Sequence, residues 1–130
     1  MIFVLYVVIA TFIIVQLSLK VIKLRQFHKV SVGYGGNEEL QRAISAQLNA
    51  VEYLPIGLIL LMSLELNMAS ILLIHAAGIV FITGRILHAR GMLTDSMKLR
   101  VLGMQITFFM LITLAILNLI YLPYGKMFDF

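Results

Sequence analysis

Four long apolar stretches separated by short polar breaks run through the chain. The first extends from about Ile2 to Leu24. Met1 to Leu19 holds no charge, and Thr11, Gln16 and Ser18 are its polar interruptions. The second spans about Glu38 to Leu66, the third about Ala69 to Ala89, and the fourth about Arg100 to Tyr121, ending before Pro123. A helix needs roughly 20 predominantly apolar residues to cross a bilayer. The pattern therefore predicts an all-α integral membrane four-helix bundle, with residues 1–130 forming one membrane domain. The first stretch has no basic residue before Lys20 and no small-residue cleavage pattern after it, so it reads as a retained helix rather than a signal peptide.

The breaks have their own chemistry. Ser31 to Asn37 is a loop by its glycine content, and Glu38 and Glu39 suit the positive end of the dipole of the helix they open. Asn67 and Met68 form a tight turn, and Gly91 to Lys98 a short polar link. Pro55 lies inside the second helix. A membrane helix tolerates it because neighbours can satisfy the freed carbonyl, so a kink rather than a break is expected.

Composition agrees: 62% of residues are hydrophobic and 12% charged, with a mean hydropathy of +1.03. A soluble domain carries about 25% charged residues, so this chain has too little polar surface to stay in water as a globule. The absence of cysteine removes disulfides, thiolate metal sites and a cysteine nucleophile together. The net charge of +4 does not indicate nucleic-acid binding, because the basic residues cluster beside the apolar spans. Lys20, Lys23, Arg25, Lys29, Arg42, Arg85, Arg90, Lys98 and Arg100 fall near the first and third connections, and Lys126 alone lies at the opposite end. The positive-inside rule then puts both termini outside the cytoplasm.

The second span differs from the others. Glu38, Arg42, Ser45, Asn49, Glu52 and Tyr53 share one arc of about 100° at helical periodicity. Ile44, Leu48, Val51, Leu54, Leu58 and Leu61 form a mostly aliphatic opposite face. A carboxylate and a carboxamide at membrane depth must face protein, water or a ligand. One reading is a polar seam between helices, with Glu52 paired to Arg85 or Arg100. The other is a pocket of mixed charge that grips a zwitterionic or anionic ligand, with Asn49 on a peptide group, Glu52 on an amine and Arg25, Arg42 or Arg100 on a carboxylate. Spacing alone leaves the two level.

The run from Arg42 through Asn49, Glu52 and Tyr53 to Pro55 resembles the second-helix pattern of the MAPEG family, the membrane-associated proteins in eicosanoid and glutathione metabolism. Gly84, Arg85, His88 and Gly91 resemble the end of that family's third helix. Helix number, link length and charge placement agree over nearly the whole chain, and the spacing is closest to the short bacterial members. The resemblance implies glutathione as cosubstrate, bound by Asn49 and Glu52, with Tyr53 as aromatic neighbour and Arg25 reaching across a subunit interface. Arg42, Arg85 and His88 join this implied glutathione set. It further implies a homotrimer with sites between subunits, a bacterial inner-membrane location and hydrophobic small-molecule substrates. From the residues themselves, Lys20, Lys23 and Lys29 read as contacts to membrane lipid headgroups or as snorkelling topology signals, and no second His, Asp or Glu lies at metal-ligand spacing with His75, so no metal is expected.

Two positions depart from the family pattern: Ser45 stands where an arginine precedes Ala-x-x-Asn, and Met92 where a tyrosine is expected. For the arginine that stabilises the glutathione thiolate, Arg100 is the nearest match, one residue before the ungapped register at Val101. His88 is a lesser catalytic candidate. A thiol with a pKa near 8.5 attacks as the thiolate, and a guanidinium in low dielectric favours that anion. The implied activity is that of a glutathione transferase or peroxidase acting on hydrophobic electrophiles taken from the bilayer.

Rival functions fit less well. Small four-helix exporters of cationic drugs depend on an acidic residue in the first helix, and none lies between Met1 and Leu24. A non-catalytic binding or structural member of the fold is the other alternative. His75, alone among aliphatic residues, is expected to bond a carbonyl or a neighbouring helix, for instance at Asn118 or Gln105. Asn118 and Thr113 are expected to glue helices. The methionines read as gap fillers.

Overall fold

The computed structural model describes residues 1–128, and the element bounds follow local chemistry closely. Helix α1 covers Phe3–His28, α2 Glu38–Leu66, α3 Ile71–Leu93, α4 Met97–Ile120 and a single-turn α5 Tyr124–Met127. At 1.5 Å per residue the four long helices measure roughly 35–43 Å, enough to cross a hydrocarbon core of about 30 Å. All four are apolar enough to span a membrane. Exposed Leu5, Phe12 and Leu19 on α1 and Phe109, Ile112 and Ile116 on α4 give the bundle an aliphatic and aromatic outer surface. Such a surface suits hydrocarbon and not water.

Three of the four starts are capped from the sequence itself. The Asn37 side chain accepts from the Leu40 amide at 2.8 Å, Ser70 from Leu73 at 3.2 Å and Ser96 from Leu99 at 3.5 Å. These caps satisfy amides that a helix start leaves without partners. Helix α1 begins at Ile2 with no cap of its own. The carboxylate of Glu65, in the last turn of α2, takes that role from outside, accepting from the amides of Ile2 at 2.5 Å and Phe3 at 2.7 Å.

Two boundaries differ from the hydropathy pattern. Helix α1 continues to His28, past Leu24, and ends where Lys29 turns left-handed at φ 54°. Helix α3 runs on to Leu93 and α4 begins at Met97, so the polar link expected over Gly91 to Lys98 shrinks to Thr94–Ser96. Hydropathy marks where the apolar run ends, whereas Lys, Arg and Gln are good helix formers that carry the backbone further. Helix α2 passes through Pro55 without interruption.

Helix α2 packs against each of the other three long helices, whereas α1 and α4 do not meet. Its buried face is Leu40, Ala43, Ala46, Ala50, Leu54, Gly57, Leu61 and Leu64. The stripe Glu38 to Tyr53 lies beside this face rather than opposite it. Helices α3 and α4 approach most closely, because Gly103 faces the α3 backbone. A Cβ there would sit 2.7 Å from the Gly84 carbonyl oxygen and from the His88 Cα. Small residues at helix contacts are how membrane bundles gain packing where lipid gives no hydrophobic advantage.

Candidate functional site

The most deeply buried charged side chain is Arg85 on α3, only 1% exposed. Its guanidinium donates to the carboxamide oxygen of Asn49 on α2. It also donates to the Thr107 hydroxyl on α4 at 3.2 Å and reaches the Met104 sulfur at 3.6 Å. The Tyr53 ring lies under it, 5.4 Å from the guanidinium carbon. Tyr53 is in turn held edge-on by Phe108, with ring centroids 5.6 Å apart. Three helices thus converge on one buried cation, and Arg85 Nε remains without a partner. Among the described residues no carboxylate pairs with it. A buried charge met only by neutral acceptors is costly, so the knot holds its members in place at a cost in stability.

His88, one turn along α3, brings Nδ1 to 3.5 Å from the Arg85 guanidinium. Beyond it a cavity of about 250 Å³ opens on the α3–α4 flank, lined by His88, Met97, Arg100, Val101, Met104, Gln105 and Phe108. Arg100 and Val101 both border it. Gly91 fixes the start of α4 here, since a Cβ on it would lie 2.8 Å from the Leu99 carbonyl carbon. Arg100 and His88 are therefore neighbours through backbone packing and not through an ion pair.

The structure gathers part of the residue set named from sequence. Asn49, Tyr53, Arg85 and His88 form one connected cluster, and Arg100 shares a cavity with His88. Arg25, Arg42 and Glu52 lie apart from it. Arg25 donates to the Gly33 carbonyl of its own loop at 2.7 Å. Arg42 is half-buried, 4.0 Å from Glu38 one turn earlier, with Nε unpartnered. Glu52 is exposed on the outer surface, and no salt bridge joins it to Arg85 or Arg100. The seam that one of the two readings placed between those groups is instead made by Asn49, because Glu52 sits on the far side of the stripe. Arg85, counted among the charges near the third connection, is a core residue of α3.

Sequence reasoning missed Thr107, Met104 and Phe108 and offered Gln105 only as a neighbour of His75, whereas it lines the cavity. Thr107 is fully buried and donates to the Gly103 carbonyl at 2.8 Å while accepting from Arg85. Its position one turn after Gly103 was the available signal. Met92 is buried, 7% exposed, where it offers no hydroxyl.

The chain matches the MAPEG family over residues 3–120. It belongs to the MAPEG family. It is 36% identical over 125 residues to the inner membrane protein YecN of Escherichia coli K12, covering 96% of this chain and 95% of that one. The same protein from Escherichia coli O6:H1 strain CFT073 gives the same figures. With four long apolar helices, this MAPEG protein is a multi-pass membrane protein.

Elsewhere the polar contacts are structural. The Tyr6 hydroxyl of α1 lies 2.8 Å from His75 Nδ1 and donates to the His75 carbonyl at 3.1 Å. His75 thus bonds a neighbouring helix as expected, through Tyr6 of α1 rather than Asn118 or Gln105. Asn118 does join helices, donating to the Leu60 carbonyl of α2 at 3.0 Å. Thr113 only returns to Phe109 within α4 at 2.8 Å. Gln47 donates to Ser18 at 3.0 Å, tying α2 to α1.

Proposed function

We propose that this MAPEG protein binds glutathione and transfers it to, or uses it to reduce, hydrophobic electrophiles drawn from the bilayer. One observation carries the reading: Asn49 is fixed on Arg85 beside His88, next to a cavity bordered by Arg100. Asn49 offers its amide nitrogen to the peptide group of the ligand while its oxygen is occupied by Arg85. Arg100 supplies the guanidinium that favours the thiolate. The cavity opens on a flank made of membrane-spanning helices, so an apolar electrophile reaches the sulfur without crossing water.

Glu52 supports assembly into a homotrimer. An exposed carboxylate on a membrane helix requires a partner, and the subunit supplies none among the described residues. Arg25 or Arg42 of another copy would provide one, completing a site that takes the ligand's amine and carboxylates. The likeness to an inner membrane protein supports placement in a bacterial inner membrane. The cluster of basic residues beside the first and third connections supports termini outside the cytoplasm.

A second reading, binding without catalysis, is favoured by Met92, which places a thioether where a hydroxyl would assist the sulfur. Calorimetric titration of the detergent-purified protein with glutathione, together with thiolate absorbance, separates the two. Binding with a thiolate band that Arg100→Ala abolishes is the expected result. If millimolar glutathione neither binds nor stabilises the protein, the proposal fails. Binding without thiolate, unchanged in Arg100→Ala, makes it a binder.

A further inference from the structure

A second cavity is lined by none of these residues. It is a groove of about 430 Å³ between α1 and α3. Its lining is mostly apolar, with its two cations close to one end and Leu93 and Thr94 beyond Arg90. Leu17 on α1 and Ile86 and Ala89 on α3 make the apolar wall, and Lys20 and Arg90 stand at one end. The two helices run in the same direction, so both cations mark the basic end of the molecule. Gln16, one turn before Lys20, adds a neutral donor.

Neither cation is committed elsewhere. Lys20 lies 3.8 Å from Glu39, with both side chains about half in solvent, and such a pair contributes little. Arg90 is exposed and forms no ion pair among the described residues. Its carbonyl accepts from the Thr94 amide and hydroxyl.

We propose that this groove holds one anionic glycerophospholipid of the surrounding bilayer, its phosphate on Lys20 and Arg90 and an acyl chain along Leu17, Ile86 and Ala89. An apolar trough closed by two cations is complementary to a molecule with an anionic head and a hydrocarbon tail. Basic pockets between membrane helices recognise such headgroups. The trough lies along membrane-spanning helices, so its occupant arrives laterally from the lipid. Its volume falls in the range of about 300–1,000 Å³ usual for ligand sites. The proposal stands independently of glutathione.

The test uses delipidated protein in mild detergent, titrated with phosphatidylglycerol or phosphatidylcholine, and read by native mass spectrometry and thermal unfolding. Phosphatidylglycerol is expected to be retained at one per chain and to raise the melting temperature, and phosphatidylcholine to do neither. Lys20→Gln with Arg90→Gln weakens retention about tenfold or more. Lys23→Gln with Lys98→Gln removes the same charge from the same end outside the groove, and stays within about twofold of the parent. Ile86→Trp keeps both charges, fills the trough and also loses the lipid. Equal retention of the two phospholipids overturns the proposal, as does an equal loss in the Lys23/Lys98 pair, which marks diffuse attraction. Displacement by soluble glycerol phosphate at matched concentration overturns it in favour of a free anion. If Ile86→Trp lowers the oligomer mass and leaves lipid retention intact, the groove is covered by a second copy instead.

Discussion

The guanidinium of Arg85 on α3 is bound to the carboxamide oxygen of Asn49 on α2, and among the described residues no carboxylate pairs with that guanidinium. This bond places a positive charge inside a membrane bundle on a neutral acceptor. It also orients Asn49, because a carboxamide whose oxygen is held must turn its nitrogen elsewhere. The consequences of cutting the bond from either side are unequal. Asn49→Ala leaves the guanidinium buried and short of an acceptor, whereas Arg85→Met removes the charge and its desolvation cost together. Asn49→Ala is expected to destabilise by about 3 kcal/mol and Arg85→Met by clearly less, measured by thermal unfolding in detergent. The double variant should resemble Arg85→Met alone.

Thr107 offers a finer cut through the same knot. Thr107→Val keeps the shape and removes the oxygen that accepts from Arg85 at 3.2 Å. Interhelical hydrogen bonds in membrane proteins average about 0.6 kcal/mol, so stability should fall by about 1 kcal/mol or less. Glutathione affinity is expected to fall by several-fold, since Arg85 loses one of the contacts that aim Asn49. Unaltered affinity in calorimetry would show that Asn49 is positioned without α4.

Glu65 gives a prediction independent of ligand. Its carboxylate caps α1 from across the bundle, accepting from Ile2 and Phe3. Glu65→Ala removes both the acceptors and the charge at the helix start, and should cost about 1–2 kcal/mol. Glu65→Gln retains one acceptor and should cost about half as much. Amide exchange in the first turn of α1 is expected to rise in the same order, and equal rates in all three proteins would contradict the capping role.

The sequence disclosed the bundle and much of the site for different reasons. Span number and order follow from apolar run length, because a bilayer leaves a backbone few alternatives to helices. Asn49 and Arg85 could each be singled out as polar residues too costly for lipid. Their pairing could not be read, because Glu52, three residues on, is the more obvious partner for an arginine. Only the rotation of α2 decides between them, and Ala43, Ala46, Ala50 and Gly57 set that rotation by filling the contact face. Thr107 was hidden for a similar reason. A threonine in an apolar helix usually bonds its own backbone, as Thr11, Thr83 and Thr113 do here. What distinguishes Thr107 is the depth to which Gly103 lets α4 approach α3.

That approach makes Gly103 a sensitive position. Gly103→Ala would place a methyl 2.7 Å from the Gly84 carbonyl oxygen and from the His88 Cα. Neither is a flexible side-chain end, so α4 must move outward. Overpacking of this kind costs about 1–3 kcal/mol. It should also separate Arg100 from His88, lowering thiolate formation more than glutathione affinity.

Arg100 and Val101 allow the thiolate role itself to be tested by position. Both border the cavity that His88 shares, although consecutive residues on a helix point about 100° apart. If the chemistry requires a guanidinium anywhere on that rim, exchanging the pair, Arg100→Val with Val101→Arg, should restore much of the thiolate absorbance that Arg100→Ala loses. If it requires the direction from which Arg100 enters, against Gly91 and toward His88, the exchange should behave like Arg100→Ala. The packing of Leu99 and Arg100 on Gly91 favours the second outcome, because it fixes the backbone at residue 100 and leaves Val101 turned outward, 46% exposed. The expected result is therefore no rescue by the exchange and partial retention in Arg100→Lys, which keeps the direction and the charge but not the fork of donors. Full activity in the exchanged protein would show that Val101 marks the functional register and that Arg100 serves only through its charge.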